Sequence, residues 1–178
     1  MKKVVLAVGS SISAYKSCDL ARLFVKGGYN VYVALTDNAA KLVSPLALEA
    51  LTGNPVYTNA TLWEKREMGH IALKDGASLF LAAPATANMI GKFANGIADD
   101  LVSTTFLALE CPALIAPAMN PNMYASPAVK MNRERLAGWG VKFIEPETGL
   151  VACGDEGKGR LADINTIYEA ACNVIEGK

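Results

Sequence analysis

An excess of charge of one sign is what this sequence lacks most plainly: its 17 Lys and Arg are matched by 17 Asp and Glu. With no net field to draw in nucleic acid or an anionic membrane, neither is expected as a partner, and any bound anion must be held locally. Histidine is almost missing, with His70 alone, and the four cysteines Cys18, Cys111, Cys153 and Cys172 form no CxxC pair. That set offers no convincing metal ligands, so no metal is expected. Long hydrophobic runs are missing too. The opening run Val4–Gly9 is too short to span a membrane and carries no signal-peptide cleavage pattern, which points to the cytoplasm. No repeat, low-complexity tract or interdomain linker divides the chain, and 178 residues suit one domain over 1–178 rather than two cores.

What is present is apolar: 52% hydrophobic against 19% charged, the balance of a well-packed core with surface to spare for subunit contacts. Short apolar runs at about 3–8, 30–35, 78–83, 113–116 and 141–144 alternate with longer amphipathic segments. This pattern predicts an α/β fold, a single doubly wound parallel sheet, Rossmann-like or flavodoxin-like, with helices on both faces. A first helix is expected over Ala14–Lys26, stopped by Gly27-Gly28, and a last one over Ile164–Ile175. Ligands of such sheets bind beyond the carboxyl ends of the strands, so the residues after each run carry the candidates.

After the first run comes Gly9-Ser10-Ser11-Ile12-Ser13-Ala14-Tyr15-Lys16, a small-residue turn opening a helix. It suits a phosphate or, as readily, a plain helix cap; it is neither a GxGxxG fingerprint nor a P-loop. After the second, Thr36 can reach a ligand oxygen while Asp37 or Asn38 caps the next helix. After the third, Pro84 is expected to break the strand, Thr86 and Asn88 to offer side-chain bonds, and the alanines between to let backbone approach a flat ligand. Asp99 and Asp100 then read as the start of a further helix. After the fourth, Pro117 and Pro121 bracket Asn120, which can present an amide to a carboxylate, while Met123 reads as packing.

His70 alone could serve an imidazole acid–base step, although a lone His is more often a helix-end or surface residue. Gly149, Gly154, Gly157 and Gly159 surround Cys153, a poor setting for a core thiol. The segment at about 146–161 therefore reads as a mobile flap that carries Cys153 in as an acid or nucleophile, whereas Cys18, Cys111 and Cys172 read as buried free thiols.

Taken together, the Gly9–Lys16 turn, Met68-Gly69-His70-Ile71, Pro84-Ala85-Thr86-Ala87-Asn88, the Pro117–Tyr124 stretch and Ala152-Cys153-Gly154-Asp155 resemble the homo-oligomeric flavin-containing cysteine decarboxylases, and their coenzyme A branch in particular. The likeness covers about residues 4 to 162. It implies FMN as cofactor, held by Gly9, Ser10, Ser11, Thr36, Thr86, Ala87, Asn88 and Met89, with Ala118 beside the flavin. It implies His70 as a base contributed across a subunit boundary, Asn120 as the seat of the substrate carboxylate, and Cys153 as a proton donor between substrate-contacting Ala152 and Gly154.

The activity so implied is decarboxylation of 4′-phosphopantothenoylcysteine to 4′-phosphopantetheine, through a thioaldehyde, loss of CO₂ and re-reduction of the enethiolate. The implied assembly is a homotrimer or dodecamer, with a phosphopantothenate–cysteine ligase domain or protein as a possible partner. Competing readings are a peptidyl-cysteine decarboxylase, a flavin prenyltransferase and a non-catalytic flavin-binding regulatory subunit. Two positions depart from the family pattern in bonding or bulk: Met89 stands where a Thr is usual, and Tyr124 where a Trp is usual. Thr86 replaces a Ser.

Overall fold

Alternation along Lys3–Val8 sets the plan of the fold. In the computed structural model, which describes residues 1–62, 68–150 and 154–177, this strand (β1) sends Val4, Leu6 and Val8 into one core and Val5 and Ala7 into another. A strand buried on both sides needs a covering layer on each. The chain supplies them by running β1, α1 (Lys16–Lys26), β2 (Asn30–Leu35), α2 (Pro45–Thr52), β3 (Val56–Tyr57), α3 (Gly69–Lys74), β4 (Ala77–Ala85), α4 (Ala87–Asn95) and α5 (Leu101–Leu107). There follow β5 (Ala113–Pro117), α6 (Pro121–Ala125), α7 (Pro127–Gly138), β6 (Lys142–Phe143), β7 (Glu147–Leu150), β8 (Glu156–Arg160) and α8 (Ile164–Glu176).

Strands β3-β2-β1-β4-β5-β6 form one parallel sheet in that order. Leu20 and Phe24 of α1, Leu48 of α2 and Ile167 and Ala171 of α8 fill the core on one face. Leu73 of α3, Ile90 and Phe93 of α4, Leu101 of α5 and Leu136 of α7 fill the other. This is the doubly wound sheet that the sequence predicts. Each fully buried side chain of the size of Phe24 or Leu81 contributes roughly 1.5–3 kcal/mol.

Helix starts follow the capping rules. Ser44, Thr86, Asp100, Ser126 and Asp163 each accept a bond from a backbone amide of the first turn, and Pro45, Pro121 and Pro127 sit where a missing amide hydrogen costs nothing. Asp100 completes a capping box with Ser103, as the acidic pair before α5 leads one to expect.

The structure departs from the sequence reading in four places. The first helix begins as a 3-10 turn over Ile12–Tyr15, with α1 proper starting at Lys16. Pro84 does not break β4, which runs on to Ala85; the ladder to β5 skips between Ala82 and Ala85, so no hydrogen bond from the proline nitrogen is needed. A two-residue edge strand, β3, was not anticipated. Within the segment read as a flap, β7 and β8 pair antiparallel, strands that the sequence reading does not assign. Among the described residues, no helix is long and apolar enough to cross a membrane.

Candidate active site

From β1 the sheet is built outward in both directions, to β2 on one side and β4 on the other, so connections leave the carboxyl ends of β1 and β4 on opposite faces. A crevice forms at such a switch point. Here it is a cavity of about 690 Å³, a size suited to a small organic ligand. Ser10, Ser11 and Ser13 reach it from the turn after β1, Thr86, Ala87 and Asn88 from the start of α4, and Ala118, Met119 and Asn120 from the end of β5. Leu150, Gly159 and Arg160 of the β7–β8 hairpin close one side, and Lys16 stands at another.

Local bonding fixes the polar lining. Ser11 Oγ accepts from the Ser13 amide at 3.3 Å, and Thr86 Oγ1 accepts from the Met89 amide at 3.3 Å, which starts α4 against the cavity wall. A helix N-terminus with free amides and adjacent hydroxyls favours an anion such as a phosphate. Asn120 Oδ1 accepts from the Asn122 amide at 2.8 Å. The carbonyl end of that amide is thereby committed to α6, and the NH₂ end is the donor, reaching Asp155 Oδ2 at 2.6 Å.

Gly9 and Met89 stand behind this wall rather than in it. The Gly9 amide donates to Pro84 O at 2.8 Å, and a Cβ at position 9 would lie 2.5 Å from Met89 Sδ and 2.8 Å from Pro84 O. Glycine there lets β1 and β4 close up under the ligand space. Thr36 is engaged elsewhere: its Oγ1 accepts from the Ala39 amide at 3.3 Å, taking the capping role expected of Asp37 or Asn38. Thr36 does not line the cavity.

The hairpin sits on the β5–α6 corner because its glycines allow contact at backbone distance. The Met119 amide donates to Gly159 O at 2.9 Å. A Cβ on Gly159 would drive into the Met119 carbonyl oxygen, and one on Gly157 would lie 2.8 Å from Pro121 Cβ. Gly154 is exposed, with φ +88°, and does not line the cavity. Ala152 and Cys153 lie outside the described residues. Of the other thiols, Cys18, Cys111 and Cys172 are free but half-buried rather than buried. Burial pushes the Cys18 and Cys111 thiols up, which makes them poor nucleophiles.

A charged hub ties the hairpin down from outside. Glu145 accepts from Tyr124 Oη at 2.8 Å, pairs with Lys158 Nζ at 2.6 Å, and pairs with the Arg133 guanidinium, which lies 4.5 Å over the Tyr124 ring. Burial, then the hydrogen bond to Glu145, pushes the Tyr124 hydroxyl up. Burial works to raise the Glu145 carboxyl, but the bonds from Lys158 and Tyr124 and the Arg133 charge outweigh it and hold it below its ordinary 4.5. A depressed carboxyl stabilises the fold above its unfolded pKa and loses that contribution as pH falls through the folded value. Glu145→Gln is therefore expected to lower the melting temperature at neutral pH, with the difference from the wild type shrinking as pH falls below 4.5. Thermal melts across pH 3–8 check it; a difference that persists unchanged in acid contradicts it.

His70 is the second residue of α3, half-buried, with Nδ1 shielded and lacking a hydrogen-bond partner among the described residues. The end of α3 is anchored by Lys3, whose ammonium donates to Ala72 O at 2.6 Å and Asp75 O at 2.9 Å. Desolvation by burial lowers the Lys3 pKa, against the pull of Asp75. His70 does not line the cavity of its own chain. The structure thus brings Ser10, Ser11, Thr86, Ala87, Asn88, Ala118 and Asn120 together and leaves Gly9, Met89, Thr36, Gly154 and His70 outside the lining. It adds Arg160, which sequence reasoning passed over; its place two residues beyond Lys158 on a strand was the available signal. Among the described residues there is no group of His, Cys, Asp and Glu fit for a metal ion.

A doubly wound sheet whose switch-point cavity pairs hydroxyls with a helix N-terminus belongs to the class of folds that take phosphate-bearing ligands at the carboxyl ends of their strands. The chain belongs to the Flavoprotein family, whose profile matches residues 1–176. It is 48% identical over 172 residues to the coenzyme A biosynthesis bifunctional protein CoaBC of Bacillus subtilis, covering 96% of this chain and 42% of that protein. It is 44% identical over 171 residues to a probable phosphopantothenoylcysteine decarboxylase of Streptococcus mutans, covering 94% of this chain and 96% of that one. Among solved structures it is similar to a Cys-to-Ser mutant of PPC decarboxylase complexed with pantothenoylaminoethenethiol, at TM-score 0.90 and 28% identity, with 98% of each chain covered. It is also similar to the FMN-dependent cysteine decarboxylase TvaF from thioviridamide biosynthesis, at TM-score 0.85 and 28% identity, with 99% of each covered.

Proposed function

We propose that this chain binds FMN and decarboxylates 4′-phosphopantothenoylcysteine to 4′-phosphopantetheine. The observation that carries the reading is the cavity itself, where hydroxyls of Ser10, Ser11 and Thr86 and the Asn88 amide face the small apolar surfaces of Ala87 and Ala118, with the donor end of Asn120 beyond them. Neutral donors at a helix N-terminus suit a phosphate and a ribityl chain, and alanines suit a flat ring. When bound, FMN supplies the two-electron oxidation of the substrate CH₂–SH to a thioaldehyde, the electron sink that lets CO₂ leave, and is restored as the enethiolate is reduced.

The chain's own residues do the rest. Asn120 offers its NH₂ to the substrate carboxylate without adding charge, which leaves that group free to depart as neutral CO₂. His70, from a neighbouring copy, takes the proton released on oxidation of the thiol-bearing carbon. Cys153, on a flap at about 146–161, gives the proton that completes the product. Met119 and Gly159 hold the base of that flap against the site. The assembly is a cytoplasmic homotrimer or dodecamer of one flavoprotein domain, 1–178, working with a ligase domain or protein that makes its substrate.

Gly159→Ala tests the flap's seat. The added methyl meets backbone, which cannot swing aside, so β8 is expected to lift and the Met119–Gly159 bond to break. Turnover should fall by roughly tenfold or more, as for other small misplacements of a site, while FMN stays bound. Wild-type turnover by this variant contradicts the seating. For the function as a whole, a panel of phosphopantothenoylcysteine, pantothenoylcysteine and a peptide ending in cysteine is the test. CO₂ from the first is expected; CO₂ from the peptide alone overturns the substrate assignment.

A further inference from the structure

The donor end of Asn120, which the reading above assigns to the substrate carboxylate, already holds a carboxylate of this chain. Asn120 Nδ2 donates to Asp155 Oδ2 at 2.6 Å, a bond between residues 35 apart in sequence. It joins the β5–α6 corner to the hairpin just before β8 begins. The orientation of the amide is not free to reverse, because Oδ1 is taken by the Asn122 amide at 2.8 Å. We propose that Asp155 is a built-in occupant of the carboxylate seat at Asn120, which an incoming substrate carboxylate must displace, so that Asp155 sets the affinity of the site for carboxylate ligands.

The physical case has three parts. A hydrogen bond to an ionised acceptor is about twice as strong as a neutral one, so the contact is a real competitor. A second carboxylate brought to the same nitrogen would set two negative charges side by side, and like charges so close disfavour each other. Displacement is feasible because the hairpin is held independently, by the Met119–Gly159 bond and by the Lys158–Glu145 pair. Those two contacts keep β8 in place when Asp155 is displaced.

One consequence is directional. A ligand that carries a carboxylate competes with Asp155, whereas the decarboxylated product does not and leaves Asp155 free to return. Substrate and product are thus separated at Asn120 by the group that the reaction removes.

The inference rests on the decarboxylase reading, and its test separates the two. Calorimetric titration of the FMN-loaded protein would use two dead-end ligands: phosphopantothenoylserine, with a hydroxyl for the thiol, and its decarboxylated counterpart, phosphopantothenoylethanolamine. In Asp155→Ala the dissociation constant of the serine ligand is expected to fall by roughly threefold or more, while that of the ethanolamine ligand moves by less than about twofold. The gain should vanish when Asn120→Ala is added, and Asp155→Glu, which keeps a carboxylate, should bind closer to the wild type than Asp155→Ala does. Unchanged or weaker binding of the serine ligand by Asp155→Ala, or equal shifts for both ligands, overturns the inference. Loss of CO₂ release from phosphopantothenoylcysteine by the wild type, with the serine ligand still tightened by Asp155→Ala, would instead remove the decarboxylase reading and leave this one standing.

Discussion

Replacing His70 with Asn is expected to leave FMN bound and to slow flavin reduction by about 10²–10⁴-fold when phosphopantothenoylcysteine is added without oxygen. Asn has a similar shape and can still hydrogen-bond, but it cannot accept the proton that leaves as the substrate is oxidised. The helix should survive the change. Lys3 bonds Ala72 O and Asp75 O at its far end, and Leu73 is anchored in the core, while His70 itself makes no bond through Nδ1 among the described residues.

The proposed role of His70, as a base for a neighbour's site, is tested by mixing variants, since His70 does not line the cavity of its own chain. Protomers carrying His70→Asn and protomers carrying Asn120→Ala, each inactive alone, should regain part of the activity when co-assembled. No recovery in mixed oligomers contradicts a shared site. Wild-type rates of flavin bleaching in His70→Asn remove the base assignment altogether.

The second large effect is expected at Cys153. Cys153→Ser should retain FMN and the oxidative steps but make saturated product about 10²-fold or more slowly, since a serine hydroxyl is a far weaker acid than a thiol. An enethiol two hydrogens short of the product should accumulate and be visible by mass spectrometry. The ligand of the solved PPC decarboxylase mutant, an enethiol, is of that kind. No other described cysteine lines the cavity: Cys18 packs against the core on the α1 side of the sheet, Cys111 against the other core, and Cys172 accepts from Tyr29 Oη at 3.4 Å. Normal product formation by Cys153→Ser takes Cys153 out of the chemistry.

Much of the fold was legible because its signals are local. Val4 to Val8 is continuously apolar, as a strand buried on both faces must be, and Gly27-Gly28 stops α1 where expected. Pro84 misled because a proline usually ends a strand. Here the proline's carbonyl is taken by the Gly9 amide, and the ladder to β5 skips its nitrogen, so the strand continues. The β7–β8 hairpin misled for a different reason: Gly149 faces Gly157, a pair with no side chains to show alternation. What those glycines serve is contact with Met119 and Pro121, distant in sequence, which no local pattern reveals.

The candidate site was legible by position and less so by direction. Residues just past β1, β4 and β5 do meet in one cavity, because strand ends in a parallel sheet share one edge. Which way each side chain faces depends on bonds formed on folding. Thr36 turns to cap Ala39, Met89 turns inward against Gly9, and Asn120 commits its carbonyl to α6. The bond from Asn120 to Asp155 could not be read from sequence, since it depends on how the hairpin folds back onto the corner.

The most direct measurement is to mix the FMN-loaded protein with phosphopantothenoylcysteine in the absence of oxygen and follow CO₂, product mass and the flavin spectrum together. The expected result is one CO₂ for each 4′-phosphopantetheine formed, with the flavin fully oxidised once substrate is exhausted. A protein that holds FMN yet releases no CO₂ from this substrate would contradict the proposed function.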